Sequence, residues 1–303
     1  MTLGYLLTVG TFTGIFMILT LSLNILTGYA KQVSLGHAAF FGIGAYAAAI
    51  LATKAGLSFW AALPCVVVIT TVVGVFLGLP SLRVSHDFLV LSTIGLNFIV
   101  GAVFRYFPFF GGSMGIVNIP TPTFFGRPLG TAGYFGLTLV FVALAVLTSL
   151  YFSRTWGRLA MEAAGEDETA AKAMGINVAK FKIYAFAISS AYAGIAGALW
   201  AHYVGSVFPE NFGFDRSIDI LAMLVLGGLG TIRGAIFGAF LLQVLPEALR
   251  VIQDYRMLIS GAVLAIMMVF QPMGLLGKGS ILHVGFQRAW KAVRHGFGRA
   301  PGN

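Results

Sequence analysis

The chain has 303 residues, of which 58% are hydrophobic and 10% charged; ordinary soluble domains carry about 25% charged residues, and so few cannot cover a water-soluble globule of this size. A lone cysteine, Cys65, excludes a disulfide framework and a cysteine-based metal site. The net charge of +9 is thinly spread and no nucleic-acid module concentrates it, so no nucleic acid is expected as a partner; the composition instead specifies an all-α polytopic membrane protein embedded in lipid, with room for about eight to eleven crossings of roughly 20 apolar residues each.

Stretches free of Asp, Glu, Lys and Arg mark the predicted spans, because an unpaired charge in the hydrocarbon region is costly. In order they are 1–30, 32–53, 55–82, 88–104, 128–153, 183–209, 220–232, 234–246 and 257–277, giving about nine crossings, with eight to ten as the bounds. The first lacks a basic n-region and is not read as a cleaved signal peptide. The stretch 88–104, with Gly95 and Asn97, and the two stretches on either side of Arg233 are short for a full crossing, which predicts broken or re-entrant helices there.

Alternating the loops gives two sets of basic residues. Lys31, Arg83, Arg154, Arg158, Lys172, Lys180, Lys182, Arg233, Lys278, Arg288, Lys291, Arg294 and Arg299 fall on one side; Lys54, Arg105, Arg127, Arg216, Arg250 and Arg256 fall on the other. The larger set is assigned to the cytoplasm by the positive-inside rule, which places the N-terminus outside and the C-terminus inside. The transmembrane domain is thus 1–277, with a periplasmic segment at 106–133 and a cytoplasmic loop at 153–182. A basic cytoplasmic tail follows at 278–303.

The 106–133 segment holds four prolines and six glycines, a composition of turns rather than long helices; it is either a structured lid or docking surface, or a plain loop. The 153–182 loop carries Glu162, Glu166, Asp167 and Glu168 just ahead of the alanine-rich run TAAKAMG. Acids at the start, Lys172 near the end and Gly175 just beyond complement a helix dipole and supply a stop, and Glu168 and Lys172 are spaced for an i, i+4 pair. The pattern predicts a short rigid helix of about two turns whose Ala170, Ala171, Ala173 and Met174 form a small apolar face. So short a helix needs neighbours to hold it. In the tail, Leu282, Phe286, Trp290, Val293 and Phe297 share one helical face, as in an amphipathic helix on the inner leaflet; Gly285, Gly296 and Gly298 leave a disordered basic tail as the alternative.

Several motifs bear on chemistry. No G-x-x-x-x-G-K-[ST] occurs, so the chain has no recognisable phosphate loop. GIGAYA at 42–47 matches a dinucleotide fingerprint in letters only, since it lies within a charge-free span rather than after a strand. The G-x-x-x-G pairs Gly10 with Gly14, Gly74 with Gly78 and Gly234 with Gly238 suit close helix packing. Gly36, Gly44, Ala45 and Tyr46 share their spacing with Gly230, Gly238, Ala239 and Phe240, a weak sign of an internal repeat. The five histidines show no metal-binding spacing, and no catalytic constellation converges. Polar residues at membrane depth, Asn24, His37, Asn97, Ser189, Ser190 and Gln243, are candidates for a translocation path, or else bond to neighbouring helices.

The segments LNILTGYAKQVSLGHAAFFGIGAY (23–46), FGGSMGI (110–116), GRLAMEAAGEDETAAKAMGINVAKFKIYAFAISSAYAGIAGAL (157–199) and VLGGLGTIRGAIFGA (225–239) resemble, in the same order, the permease subunits of branched-chain amino acid ABC importers, and specifically the M-type member of the two homologous permeases. The resemblance implies a type II importer-like fold with a pseudo-repeat of about five helices. It implies a location in the bacterial inner membrane, a homologous permease as heterodimer partner, two ATPase subunits that bind the ATP, and a periplasmic amino-acid-binding protein. By the same resemblance Glu166, Asp167, Glu168, Thr169, Ala170, Ala171, Lys172 and Gly175 belong to the helix that couples the permease to its ATPase; Thr169 stands where the family pattern E-A-A-x-x-x-G has Glu. No cofactor and no enzymatic activity of its own is expected. Alternative readings are a related ABC importer for urea, amides or sugars, an ion-coupled secondary transporter, for which the spans hold almost no acids beyond Asp219 and Glu247 near their ends, and a membrane-embedded enzyme.

Overall fold

The computed structural model describes residues 3–82, 86–124, 127–248, 261 and 274–276. The described residues form ten α-helices: α1 Leu3–Leu23, α2 His37–Thr53, α3 Phe59–Gly78, α4 His86–Tyr106, α5 Thr131–Ser153, α6 Trp156–Glu166, α7 Glu168–Ala173, α8 Val178–Val204, α9 Phe214–Gly227 and α10 Ile232–Ala248. α1 runs straight on into a π-helical turn, Asn24–Tyr29. Five of the resulting helices are long and apolar enough to cross a membrane, and α2 and α10 are shorter apolar helices. Eight of the nine predicted spans fall on α1, α2, α3, α4, α5, α8, α9 and α10; the predicted span 257–277 and the tail 278–303 lie almost entirely outside the described residues.

Helices α1, α2 and α8 form the core, buried along most of their length. The outer helices α3, α4 and α5 turn Val68, Val72 and Phe76, Leu91 and Ile99, and Leu139, Leu144 and Leu147 outward. Lipid is as apolar as these side chains, so they need no cover, and the helices hold together by close fit rather than by hydrophobic burial. The fit is made by small residues. A Cβ on Gly44 would lie 2.5 Å from the Gly194 Cα, and one on Gly197 would lie 2.3 Å from the Phe41 carbonyl oxygen, so the α2 and α8 backbones touch. The G-x-x-x-G pair of α3 packs on α8 at Ser190 and Phe186, and Gly234 and Gly238 of α10 pack on α9 at Gly227. Threonine hydroxyls inside these helices bond back to carbonyls one turn earlier, as Thr11, Thr13, Thr70 and Thr138 do, which satisfies them without water.

Two helices start at membrane depth. After α1, Lys31 reaches Glu166 at 3.2 Å, and the next residues return inward as non-helical chain. The Leu35 N–H donates to Thr93 Oγ1, a third of the way along α4, and the Ala38 N–H donates to Ser217 Oγ on α9. Irregular backbone is tolerated at this depth because protein surrounds it. At the opposite end α8 stops at Gly205, which sits at φ +75°. The chain then pairs Ser206–Val207 (β4) antiparallel with Ile116–Val117 (β1) and turns through Pro209–Phe212 before α9 begins. The 14-residue α9 is about 21 Å long, short of the ~30 Å hydrocarbon core. Thus α2 and α9 start from opposite sides and meet near Ala38 and Ser217.

The prediction of a broken helix at 88–104 is corrected: α4 is a continuous helix of 21 residues, because Asn97 is turned inward and Gly95 only leaves space. The span 183–209 likewise ends early, at Val204. The short stretches flanking Arg233 do form the compact hairpin of α9 and α10, turning through Gly228 and Gly230 at positive φ, with Leu275 and Leu276 N–H groups capping the last α9 carbonyls. The glycine spacing shared by 36–46 and 230–240 falls on α2 and α10, which run in the same direction and therefore are not related by inverted topology; α2 and α9 are the pair that run oppositely from broken starts.

Contacts among the described residues gather some of the loops at each end of the helices. Lys31 and the 153–182 loop share one end. At the other end, Lys54 Nζ donates to the Phe109 carbonyl, Trp60 Nε1 to the Thr123 carbonyl, and Arg105 pairs with Glu210 at 3.1 Å. The 106–133 segment is structured: two 3-10 turns, Pro108–Phe110 and Gly112–Met114, lead into β1, and a hairpin joins β2 (Thr123–Phe124) to β3 (Arg127–Pro128).

Gly44→Val and Gly194→Val are expected to abolish the recovery of folded, monodisperse protein from membranes, since the first added side chain meets the Gly194 backbone and the second the buried, β-branched Thr70 side chain of α3, neither of which can move aside. Gly95→Val, where nothing lies within 4 Å, is expected to leave yield and thermal midpoint nearly unchanged. Size-exclusion chromatography and thermal unfolding in detergent check both.

Candidate functional site

Between α5 and α8 lie two short helices. α6 buries Ala160, Met161 and Ala164, and its Arg158 binds Glu162 one turn on at 2.6 Å while lying over the Tyr29 ring at 5.2 Å. Gly165 fits against the Ala30 carbonyl, where a Cβ would stand 2.7 Å away, and Glu166 takes Lys31. The base of α1 and the end of α6 are therefore one unit. α6 is an addition to the expected single short helix of this loop; its signals in the sequence are the apolar spacing of Ala160, Met161 and Ala164 and the i, i+4 pair Arg158 and Glu162.

The six-residue α7 is capped at both ends. Asp167 Oδ1 accepts from the Thr169 and Ala170 N–H groups at 2.8 and 3.0 Å, a side-chain N-cap. At the other end the Ile176 N–H bonds to the Ala171 carbonyl, the Gly175 N–H to the Lys172 carbonyl, and Gly175 sits at φ +78°, the left-handed geometry of a Schellman stop that glycine alone adopts freely. Glu168 pairs with Lys172 on α7 and with Lys182 on α8, and Asn177 caps α8 through the Lys180 N–H.

These contacts divide the residues of α7 between an inner and an outer side. Ala171 is buried against Ala164, Ile176 and Val178, so it belongs to the fastening of α7 and not to its outer face. Glu166, Asp167 and Glu168 are used internally. Thr169, Ala170, Lys172, Ala173 and Met174 face outward, Met174 at 82% exposure.

The polar residues expected along a path do not form one line. His37 and Ser189 come together: His37 Nε2 lies 2.9 Å from Ser22 Oγ, which donates to the Ser189 carbonyl at 2.5 Å. All three are fully buried. Asn24 instead accepts from the Gly230 N–H at 2.8 Å, tying α1 to the α9–α10 turn. Ser190 donates back to the Ala187 carbonyl and packs against Gly74. Gln243 is half-buried on α10, apart from the others. Asn97 lines a cavity of about 350 Å³ between α4 and the turn before α9, together with Phe98, Arg105, Glu210 and Phe214. A second cavity of about 440 Å³, between α2, α3 and α4, is lined by apolar and aromatic residues such as Ile50, Val73 and Phe104. Ser22, Gln32, Ser34, Thr93 and Ser217, not among the expected path residues, are buried as well; their signal in the sequence is the polar run Gln32, Ser34, His37 within a charge-free stretch. Among the described residues no group of three His, Cys, Asp or Glu side chains is placed to hold a metal ion.

The family model described as "Branched-chain amino acid transport system / permease component" matches residues 5–270. The high-affinity branched-chain amino acid transport system permease protein LivM of Salmonella typhimurium (strain LT2) is 37% identical over 294 residues, which is 88% of this chain and 69% of the relative, and LivM of Escherichia coli (strain K12) gives the same figures. The LivH permease protein of Escherichia coli (strain K12) is 32% identical over 146 residues, 47% of this chain and 46% of the relative. No solved structure matches. The family match begins in α1 and extends beyond α10, and so the chain, with its membrane-embedded helices and paired glycine contacts, belongs to the permease-component family of the branched-chain amino acid transport system.

Proposed function

We propose that this chain is the transmembrane permease subunit of an ABC importer that carries leucine, isoleucine and valine across the bacterial inner membrane. It would work beside a homologous permease, two ATPase subunits that bind ATP, and a periplasmic binding protein. Family membership supports the substrate class. The observation that carries the mechanism is the doubly capped α7, fastened to α8 through Glu168 and Lys182 and, by way of α6, to the base of α1 through Glu166 and Lys31. With the basic loops 153–182 in the cytoplasm, α7 stands where an ATPase would meet it, and 106–133 faces the periplasm.

Closure of the ATPases on nucleotide would push on α7. A helix only six residues long transmits force if its ends are fixed, and both are. The push then passes to the ends of α1 and α8 together, and a rigid-body shift of those helices is the kind of packed two-state movement that alternates access. The exposed Ala170, Ala173 and Met174 supply a low, apolar contact that seats in a cleft, with Lys172 beside it. Specificity for the amino acid rests mainly with the binding protein, and the permease offers a path without a tight site.

Met174→Asp combined with Ala170→Arg is expected to lower energised leucine uptake and ATPase copurification by about 30-fold or more, the effect of losing an interface anchor worth about 2 kcal/mol, with membrane yield unchanged. Ala171→Arg is expected to act differently, reducing the yield of folded chain, because its side chain points inward. Asp167→Ala is expected to cost α7 about 1 kcal/mol, lowering uptake more than yield; limited proteolysis within 166–176 should accelerate in parallel. Leucine accumulation by proteoliposomes that hold this chain alone, driven by an ion gradient, would overturn the importer reading.

A further inference from the structure

The cavity between α4 and the turn before α9 differs from its neighbour in carrying charge. Arg105 and Glu210 form an ion pair at its rim, each about half exposed, and they come from separate elements, the last turn of α4 and the 3-10 turn Pro209–Phe212. An exposed pair of this kind holds weakly and exchanges partners without unfolding anything. Phe98 and Phe214 stack at 6.0 Å along one wall. Below the rim, Arg105, Gly101 and Asn97 succeed one another at intervals of four residues on one face of α4. A side chain on Gly101 would meet nothing within 4 Å, so the space between is open. Asn97 closes the lower end about 12 Å further down the helix; it is buried, and its Oδ1 has no hydrogen-bond partner among the described residues. A buried acceptor left unmade is costly, and Asn97 is among the residues that line this cavity of about 350 Å³, at the small end of the range for ligand sites. The first turn of α9, whose N–H groups favour negative charge, opens onto the same space at Gly213 and Phe214.

We infer that this cavity is a recognition site for a free amino acid entering from the 106–133 side, with Arg105 taking the carboxylate, Glu210 the ammonium, and Phe98 and Phe214 the aliphatic side chain. The inference rests on the importer reading above and extends it by naming where the substrate first meets the permease. A zwitterion replaces one internal ion pair by two external ones and leaves neither charge alone. A singly charged molecule leaves one partner unpaired, which selects against it.

The test uses the full chain, co-expressed with its transport partners in right-side-out membrane vesicles, carrying Ala102→Cys on the cavity wall and Cys65→Ser to remove the native exposed thiol. The rate of alkylation by a membrane-impermeant maleimide is read with and without leucine. Leucine at about twice its Kd is expected to slow labelling about threefold; 4-methylpentanoate and 3-methylbutylamine, each with one of the two charges, are expected to leave it unchanged. Arg105→Gln and Glu210→Gln are each expected to remove the protection while keeping the ligand-free labelling rate, which shows the fold intact. Labelling indifferent to leucine, or slowed equally by the singly charged analogues, overturns the site. Energised leucine uptake by the same vesicles, measured with the periplasmic binding protein added back, separates the two levels: uptake without protection overturns this site and leaves the importer standing, whereas absence of uptake of all three branched-chain amino acids overturns the importer reading and the site with it.

Discussion

The close approach of backbones through small residues is the constraint on which the other features depend. In lipid, burying an apolar side chain against another gains little over leaving it among acyl chains, so helices associate where their surfaces fit most tightly. The contact between Gly44 and Gly194 lets α2 lie directly on α8, and α8 in turn receives α3 through Gly74, Gly78 and Thr70. Only with α2 seated so deeply can the non-helical chain before it be enclosed by protein, its N–H groups meeting Thr93 and Ser217 instead of lipid.

That enclosure also explains why polar residues at membrane depth divide into separate small networks. Ser22, His37 and Ser189 satisfy one another where α1, α2 and α8 cross, and Asn24 fixes the α9–α10 turn. These are joints of the scaffold. The charged cavity near Arg105 lies outside the tight core, at the side of α4 that faces the 205–213 turn, where space remains.

Much of this was legible in the sequence. Charge-free stretches located eight helices because hydrocarbon penalises charge regardless of tertiary context. The caps of α7 were legible because Asp167 and Gly175 act through local backbone geometry. What escaped depended on contacts distant in sequence. Asn97 and Gly95 read as breakers, yet α4 continues through them, since a buried Asn facing a cavity leaves the helix ladder intact. The inward dip before α2 and the one before α9 look like ordinary loop ends until their partners on α4 and α9 are known. Ala171 reads as one more small exposed alanine; only the positions of Ala164 and Val178 turn it inward. For Arg105 and Glu210, a hundred residues apart, no local pattern announces the pairing.

The link between Lys31 and Glu166 has a further consequence for how movement is scaled. From Lys31 to His37 the chain runs six residues without helix, and six extended residues reach at most about 20 Å. This tether joins the clamp at the surface directly to the foot of a helix in the middle of the bilayer. Because the Ala38 N–H is bonded to Ser217 Oγ, the same tether is connected through the start of α2 to α9. Neither helix could shift at that foot without loading the other, since the bond between Ala38 and Ser217 joins them.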